Sequence, residues 1–355
     1  MPAPARKPLE RIQSGALAAL TSLPGSVQRL LSARRTVQID GQTMAPETQL
    51  LLTVLKYQPK PKMVSLTPPE ARPMMAERIS IAGGRPLPVA QVNDLTVAGG
   101  DGPIRARLYR PTTADQDQPA IVFFHGGGFV IGDIDTHDQV CRFLAVHSDV
   151  TVVSIDYRLA PEHKFPAAVD DALAAFLDVH ARAAELGLDP QRIAVGGDSA
   201  GGQLAAVTCL LARDQDGQIP AFQLLLYPVT DQSTTHPSMD LFGGSFFAGL
   251  SRADIEYYTR NFLPEGADTS DPRISPLRAA SHANLPPAYV ATAGFDVLRD
   301  EGEAYAEALR NASVPTQSRR HAGLIHGFAN MLAAGRPAQL ALAEAAAALR
   351  HGLTA

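Results

Sequence analysis

The chain of 355 residues is 45% hydrophobic and 19% charged, too apolar for a disordered segment and long enough for one large domain with a smaller attachment. Its 31 Lys and Arg against 36 Asp and Glu give a formal net charge of -5, which argues against a nucleic-acid partner because duplex binders concentrate cations. Cys141 and Cys209 lie in apolar, helical-looking stretches and read as buried thiols of a reducing compartment; two cysteines alone cannot build a structural zinc site, and no metal site is expected.

In chain order, residues 1–85 read as helical with breaks at Pro24, Pro46, Pro59, Pro61, Pro68 and Pro69. A scatter of Arg6, Lys7, Arg11, Arg29, Arg34 and Arg35 accompanies Leu17 to Leu31, which reads as an amphipathic helix packed on the domain or a partner, with partial disorder or membrane-surface contact as the alternative. The first 30 residues lack the apolar region of a signal peptide, and no uncharged apolar run is long enough to span a membrane. A cytoplasmic location is expected, with peripheral membrane association as the rival. Thr67-Pro68-Pro69-Glu70 has the form of a capped helix start.

Val92–Val97 and Ile104–Tyr109 alternate around Gly99-Gly100-Asp101-Gly102, a hairpin signal. Strand, loop and helix then repeat. Strands are expected at Ala120–Phe124, Val150–Ile155, Arg192–Val195, Phe222–Tyr227, Ala288–Thr292 and Thr316–Arg319. Helices are expected at Thr136–His147, Ala167–Ala184, from Ser199 to about Arg213, at Glu301–Asn311 and at Pro337–His351. Apolar strands spaced by amphipathic helices imply an α/β fold, a mostly parallel sheet covered on both faces. Residues 231–281 interrupt this rhythm and contain the helical-looking Arg252 to Phe262, an excursion over a functional face. The expected division is an N-terminal helical extension and cap segment at 1–85, a core in two parts at 86–230 and 282–355, and an insertion at 231–281 that contributes to the cap.

Gly197-Asp198-Ser199-Ala200-Gly201 is G-x-S-x-G between a strand and a helix, the setting in which small flanking residues let a serine stand on a sharp elbow. By itself the pattern is weak; its strand-to-helix context gives it meaning. The helix opening there supplies unpaired N–H groups, so that of Ala200 is a candidate oxyanion donor. His125-Gly126-Gly127-Gly128-Phe129 follows a core strand, and three consecutive glycines are costly to order unless substrate must approach the backbone. Gly127 and Gly128 are the other two donors, with His125 and Gly126 supporting the loop. Asp296 lies beyond the next-to-last strand and is favoured over Asp300, which a helix start explains. His326 follows the last strand and is favoured over His321. Ser199, Asp296 and His326 thereby complete the order nucleophile, acid, base.

With these motifs in place, the chain resembles the hormone-sensitive-lipase-like bacterial carboxylesterases of the alpha/beta-hydrolase superfamily. The resemblance covers about residues 45 to 350. It is carried by His125-Gly126-Gly127-Gly128-Phe129, the run from Asp156 through Tyr157-Arg158 to His163, Gly197-Asp198-Ser199-Ala200-Gly201-Gly202, Asp271-Pro272-Arg273-Ile274-Ser275-Pro276, Asp296-Val297-Leu298-Arg299-Asp300-Glu301 and His326-Gly327-Phe328. One departure is Val297, where relatives commonly carry Pro. The resemblance implies an alpha/beta-hydrolase with a helical cap, hydrolysis of short- to medium-chain acyl esters by water, and no cofactor. It also implies cis peptides at Ala160-Pro161 and Phe165-Pro166. An amidase or acyl transferase on the same serine is the rival reading. A non-enzymatic receptor is disfavoured because all three groups are present. A homodimer is compatible with the sequence, which does not set the oligomeric state.

Overall fold

The computed structural model describes residues 7–32, 35–57, 61–113, 116–215, 217–244 and 249–354; Arg6 and Arg34 of the N-terminal cationic scatter and the expected break at Pro59 lie outside these. Two helices, α1 (Pro8–Thr21) and α2 (Gly25–Leu31), precede a two-residue ribbon of β1 (Gln38–Ile39) and β2 (Gln42–Thr43), then α3 (Pro46–Lys56) and α4 (Pro68–Ala82). Leu17 to Leu31 is therefore not one helix. Pro24 cannot supply a donor to continue α1, and the chain restarts at Gly25. The expected breaks at Pro46 and Pro68 are starts, with proline at the first helical position, where its missing N–H would have no intrahelical partner anyway. At α4 the Glu70 carboxylate accepts from the N–H of Thr67 at 2.9 Å and from its hydroxyl at 2.7 Å.

The main sheet has eight strands: β3 (Gln91–Gly99), β4 (Gly102–Arg110), β5 (Gln118–Phe124), β6 (Thr151–Ile155), β7 (Leu188–Asp198), β8 (Gln223–Leu226), β9 (Ala288–Phe295) and β10 (Thr316–Ile325). Their order is β10-β9-β8-β7-β5-β6-β4-β3. All pairs from β10 to β6 are parallel; β4 joins β6 antiparallel and β3 joins β4 through the Gly99–Gly102 turn, the expected edge hairpin. The unbroken apolar run of β5 has a direct explanation. Ala120, Val122 and Phe124 enter one core, whereas Ile121 and Phe123 enter the other, so both faces of the strand are covered. Helices α6 (Ala167–Ala181), α7 (Ala200–Asp214) and α10 (Arg299–Asn311) fill the first face; α5 (Asp138–Ser148) and α11 (Arg336–Thr354) fill the second. The excursion after β8 carries α8 (Pro237–Phe242) and α9 (Arg252–Phe262). Both implied cis peptides, at Pro161 and Pro166, are present, and both cysteines are free and buried. This is an alpha/beta-hydrolase fold.

Candidate active site

Four chemical groups occupy one kind of position: each follows directly the C-terminal end of a parallel strand. His125 opens its loop after β5, Ser199 follows β7, Asp296 follows β9 and His326 follows β10. Open α/β sheets place function on this edge because successive crossovers leave loops facing each other there.

Ser199 stands between β7 and α7 with φ 55 and ψ -118, a strained conformation for a residue with a Cβ. It is held by its own N–H donating to the Leu226 carbonyl at 2.8 Å. The elbow also forces backbones together: a Cβ on Gly201 would lie 1.9 Å from the Phe124 carbonyl oxygen, which explains the glycine two residues after the serine. Ser199 Oγ lies 2.9 Å from His326 Nε2, and His326 Nδ1 lies 2.8 Å from Asp296 Oδ2. Asp296 is fully buried, and its other oxygen accepts from the Leu298 N–H at 2.9 Å, so both lone-pair edges are used.

The rejected alternatives are elsewhere. Asp300 bonds Arg299 Nε at 2.7 Å and the Ser238 N–H at 2.8 Å. His321 sits within β10 opposite Ala293, against the Phe328 ring, where burial and the Arg319 charge push its pKa down to about 4.

Gly127 and Gly128 have φ +124 and +59, and their N–H groups, like that of Ala200, donate to no acceptor among the described residues. His125 is buried behind this loop. Its Nδ1 lies 2.8 Å from the Gly126 carbonyl and its ring stacks on Tyr157 at 4.2 Å. Burial, reinforced by the neighbouring His137, pushes its pKa down to about 4, so at neutral pH it is an uncharged support. Gly126 N–H donates to Asp198 Oδ1 at 2.8 Å, which ties the glycine loop to the elbow across 72 residues of sequence.

Five neighbours of this site escaped sequence reasoning. His137 faces Asp198 Oδ1 through Nε2 at 3.1 Å. Burial alone would raise the Asp198 pKa, but the His137 charge and hydrogen bond and the Gly126 N–H hold it below the usual carboxylate range. This second His–Asp pair addresses no serine: the other ring nitrogen of His137 meets Thr136 Oγ1 at 3.0 Å, whereas Ser199 Oγ bonds His326. Its work is to fasten the loop to the elbow. Tyr227 reaches Asp198 Oδ2 at 3.3 Å and packs edge-on against the His326 ring at 4.9 Å. Tyr258 of α9 lies over the glycine loop, so close that a Cβ on Gly128 would be 2.2 Å from its ring, and its hydroxyl meets Met63 Sδ at 3.0 Å. Phe262, one turn on, stacks on Phe129 at 3.8 Å. From the N-terminal side, Arg72 of α4 donates to the Val130 carbonyl at 2.9 Å and forks onto Glu162 at 2.8 and 2.6 Å. Helices α4 and α9 thus rest on the edge that carries Ser199.

Below the site, Glu301 is fully buried in α10 and one of its oxygens accepts the N–H groups of Thr230 at 2.8 Å and Asp231 at 3.3 Å. Burial pushes its pKa up from 4.5 to about 8, against the pull of those two N–H groups and with the help of the carboxylates of Asp231 and Asp296. The folded protein therefore holds a proton that the unfolded chain releases near 4.5, and this group's contribution to stability falls as pH rises from about 4.5 through about 8. Glu301→Gln keeps the accepting oxygen and removes the titration. The prediction is that this variant is more stable than wild type at pH 9, by up to ~5 kcal/mol on the scale of about 1.4 kcal/mol per pKa unit, with the gap narrowing toward pH 5. Urea unfolding at the two pH values measures it; a variant less stable at both would refute the assignment.

Comparison with known proteins agrees with this fold. Residues 121–330 match the sequence profile of a family described by its alpha/beta hydrolase fold. The chain is similar to the carboxylic ester hydrolase LipN of Mycobacterium tuberculosis, 44% identical over 338 residues that cover 94% of this chain and 89% of LipN. It is also similar to the carboxylesterase NlhH of the same organism, 42% identical over 76% of this chain and 85% of NlhH. Among solved structures, the ester-hydrolase EH1AB1 from the metagenome of Lake Arreo superposes with a TM-score of 0.84 at 42% identity, covering 87% of this chain and 98% of that one.

Proposed function

Given that the chain belongs to the alpha/beta-hydrolase family and is a carboxylic ester hydrolase, we propose that it cleaves short- to medium-chain acyl esters through an acyl-enzyme on Ser199. The observation that carries this reading is the unbroken chain from Ser199 Oγ to His326 Nε2 at 2.9 Å and from His326 Nδ1 to Asp296 at 2.8 Å. His326 Nε2 takes the serine proton as Oγ bonds the ester carbonyl carbon. Negative charge moves to the carbonyl oxygen, where the N–H groups of Gly127, Gly128 and Ala200 receive it. Collapse of the tetrahedral intermediate breaks the bond to the alkoxy oxygen, which leaves with the proton from Nε2. Water, deprotonated by the same nitrogen, then releases the acid and restores Ser199. Asp296 holds the imidazole in register and stabilises its cationic form. Every proton and bond in this cycle is accounted for by side chains of this chain, ester and water.

In the same reading, residues 1–85 and 231–281 cap a core formed by 86–230 and 282–355, and the cap bounds the acyl pocket. The contacts of Tyr258 with the Gly128 backbone and of Phe262 with Phe129 support this division. The proposed setting is cytoplasmic, which the two free buried thiols support, and a homodimer is compatible with it. No helix among the described residues is long and apolar enough to cross a membrane. A p-nitrophenyl ester series from C2 to C16 tests the substrate range: kcat/KM is expected to peak at short chains and decline beyond about C8, where added methylenes outgrow a bounded pocket. Sustained turnover at C16 would contradict it. A matched anilide separates ester hydrolysis from amidase activity, and slow anilide cleavage is expected.

A further inference from the structure

A helix packed on a domain normally buries its apolar stripe. The two N-terminal helices do the reverse. In α1, Ser14 and Thr21 face inward beside Leu17, and the Thr21 hydroxyl lies within hydrogen-bond distance of the carbonyls of Leu17 at 2.9 Å and Ala333 at 3.1 Å. Leu9, Ile12, Ala16 and Ala19, spaced for one helix face, are exposed, Ile12 by 68%. In α2 the inversion repeats. Gln28 is 1% exposed and donates to the carbonyls of Thr21 and Leu23 at 2.9 and 2.7 Å, while Leu30 is 78% exposed. Leu23, in the turn between the helices, continues the outward apolar surface.

Charge adds a direction to this surface. Residues 7–57 carry six Lys and Arg against three acids, in a chain whose net charge is -5. Lys7, Arg11, Arg29, Arg35 and Lys56 are exposed, whereas Glu10 accepts from Ser80 at 2.8 Å and Asp40 pairs with Arg299 at 2.8 Å. Leucines and isoleucine among exposed cations match a lipid surface with anionic headgroups, where apolar side chains enter the acyl boundary and each cation gains from the negative potential. A second copy fits less well, because a two-fold contact through this face would set the same cations against each other.

We infer that the outward faces of α1 and α2 dock the protein on bilayers that contain anionic lipid. The location suits an ester hydrolase. Ala333, which accepts from Thr21 on its carbonyl and donates its N–H to the Ala82 carbonyl at 2.7 Å, lies seven residues beyond His326, so the docking helices are anchored at the end of the sheet that carries the site. Docking rests on the proposed esterase reading only for its benefit, the delivery of esters dissolved in lipid.

Flotation of the full chain with vesicles tests the inference. Wild type is expected to float with phosphatidylcholine vesicles containing 30% phosphatidylglycerol at low salt, and about tenfold less with phosphatidylcholine alone. Ile12→Glu with Leu30→Glu is expected to lose flotation by at least about tenfold and to keep wild-type turnover of soluble p-nitrophenyl butyrate, which reports on folding and on the esterase reading separately. Arg11→Glu with Arg29→Glu, a surface change with intact apolar stripes, is expected to remove the preference for anionic vesicles. Absence of wild-type flotation on anionic vesicles, or flotation unchanged in the Ile12 and Leu30 variant, overturns the inference. So does a wild-type dimer that binds no vesicles and becomes monomeric in that variant, which assigns the face to a second copy.

Discussion

Ser199→Ala is expected to lower kcat on a short p-nitrophenyl ester by about 10⁴- to 10⁶-fold while leaving KM within about threefold, because in the proposed cycle the lost hydroxyl forms the bond that defines the reaction and contributes little to ground-state binding. The basis is its position at φ 55 on the elbow with Oγ 2.9 Å from His326 Nε2. His326→Ala is expected to cost a similar factor. The double variant should be no worse than either single one, since nucleophile and base act as a unit and what remains derives from oxyanion stabilisation and binding. Thermal unfolding should change little in Ser199→Ala, because alanine preserves the backbone and the N–H bond to Leu226. Covalent labelling by an organophosphate should disappear with the hydroxyl. Turnover of Ser199→Ala within tenfold of wild type would falsify the assignment, and a benign His326→Ala would transfer the base to another group.

The second large effect concerns the glycine loop. Gly128→Ala is expected to reduce kcat by about 10²- to 10³-fold, the loss associated with one oxyanion donor, with a smaller change in KM. The added methyl would stand 2.2 Å from the Tyr258 ring, so either the loop or α9 must move, and φ +59 adds a further strain of about 1 to 2 kcal/mol. Because the obstruction is a side chain from α9, the effect has a specific remedy. Tyr258→Ala in the Gly128→Ala background is expected to restore at least about tenfold of the lost kcat, although alone it lowers activity by opening a cavity above the loop. Measured kcat values for the four members of this cycle decide the point. Strictly additive losses would show that Tyr258 has no part in setting the donor at Gly128.

Much of the site was legible because its chemistry is local. G-x-S-x-G makes an elbow only between a strand and a helix, and here a Cβ on Gly197 would lie 2.4 Å from the Gly201 carbonyl oxygen, so this close approach is between neighbours in sequence. His125-Gly126-Gly127-Gly128 likewise marks itself by an entropic cost that an ordinary turn would not need. The last strand was less legible. Thr316 to Ile325 is longer than its apolar content suggests, because β10 is an edge strand with mostly exposed polar residues through Arg320. Reading it short left His321 beside His326 as a rival, and the register that pairs His321 with Ala293 removes it.

What the sequence determined by itself was the α/β layering, the hairpin at one edge, and the proposed order Ser199, Asp296, His326, since each depends on residue types and periodicities spanning a few turns or strands. Tertiary structure alone decided the rest. The His137–Asp198 brace, the Tyr258 ring over Gly128 and the Arg72 fork on Glu162 join residues 61, 130 and 90 positions apart. No local pattern encodes such partners, because a buried charge or ring is satisfied by whatever the folded chain brings within a few ångströms. The outward leucines of α1 and α2 belong with these. Their spacing predicts an amphipathic helix, but only the burial of Gln28 and Thr21 shows that the apolar side was turned away from the domain.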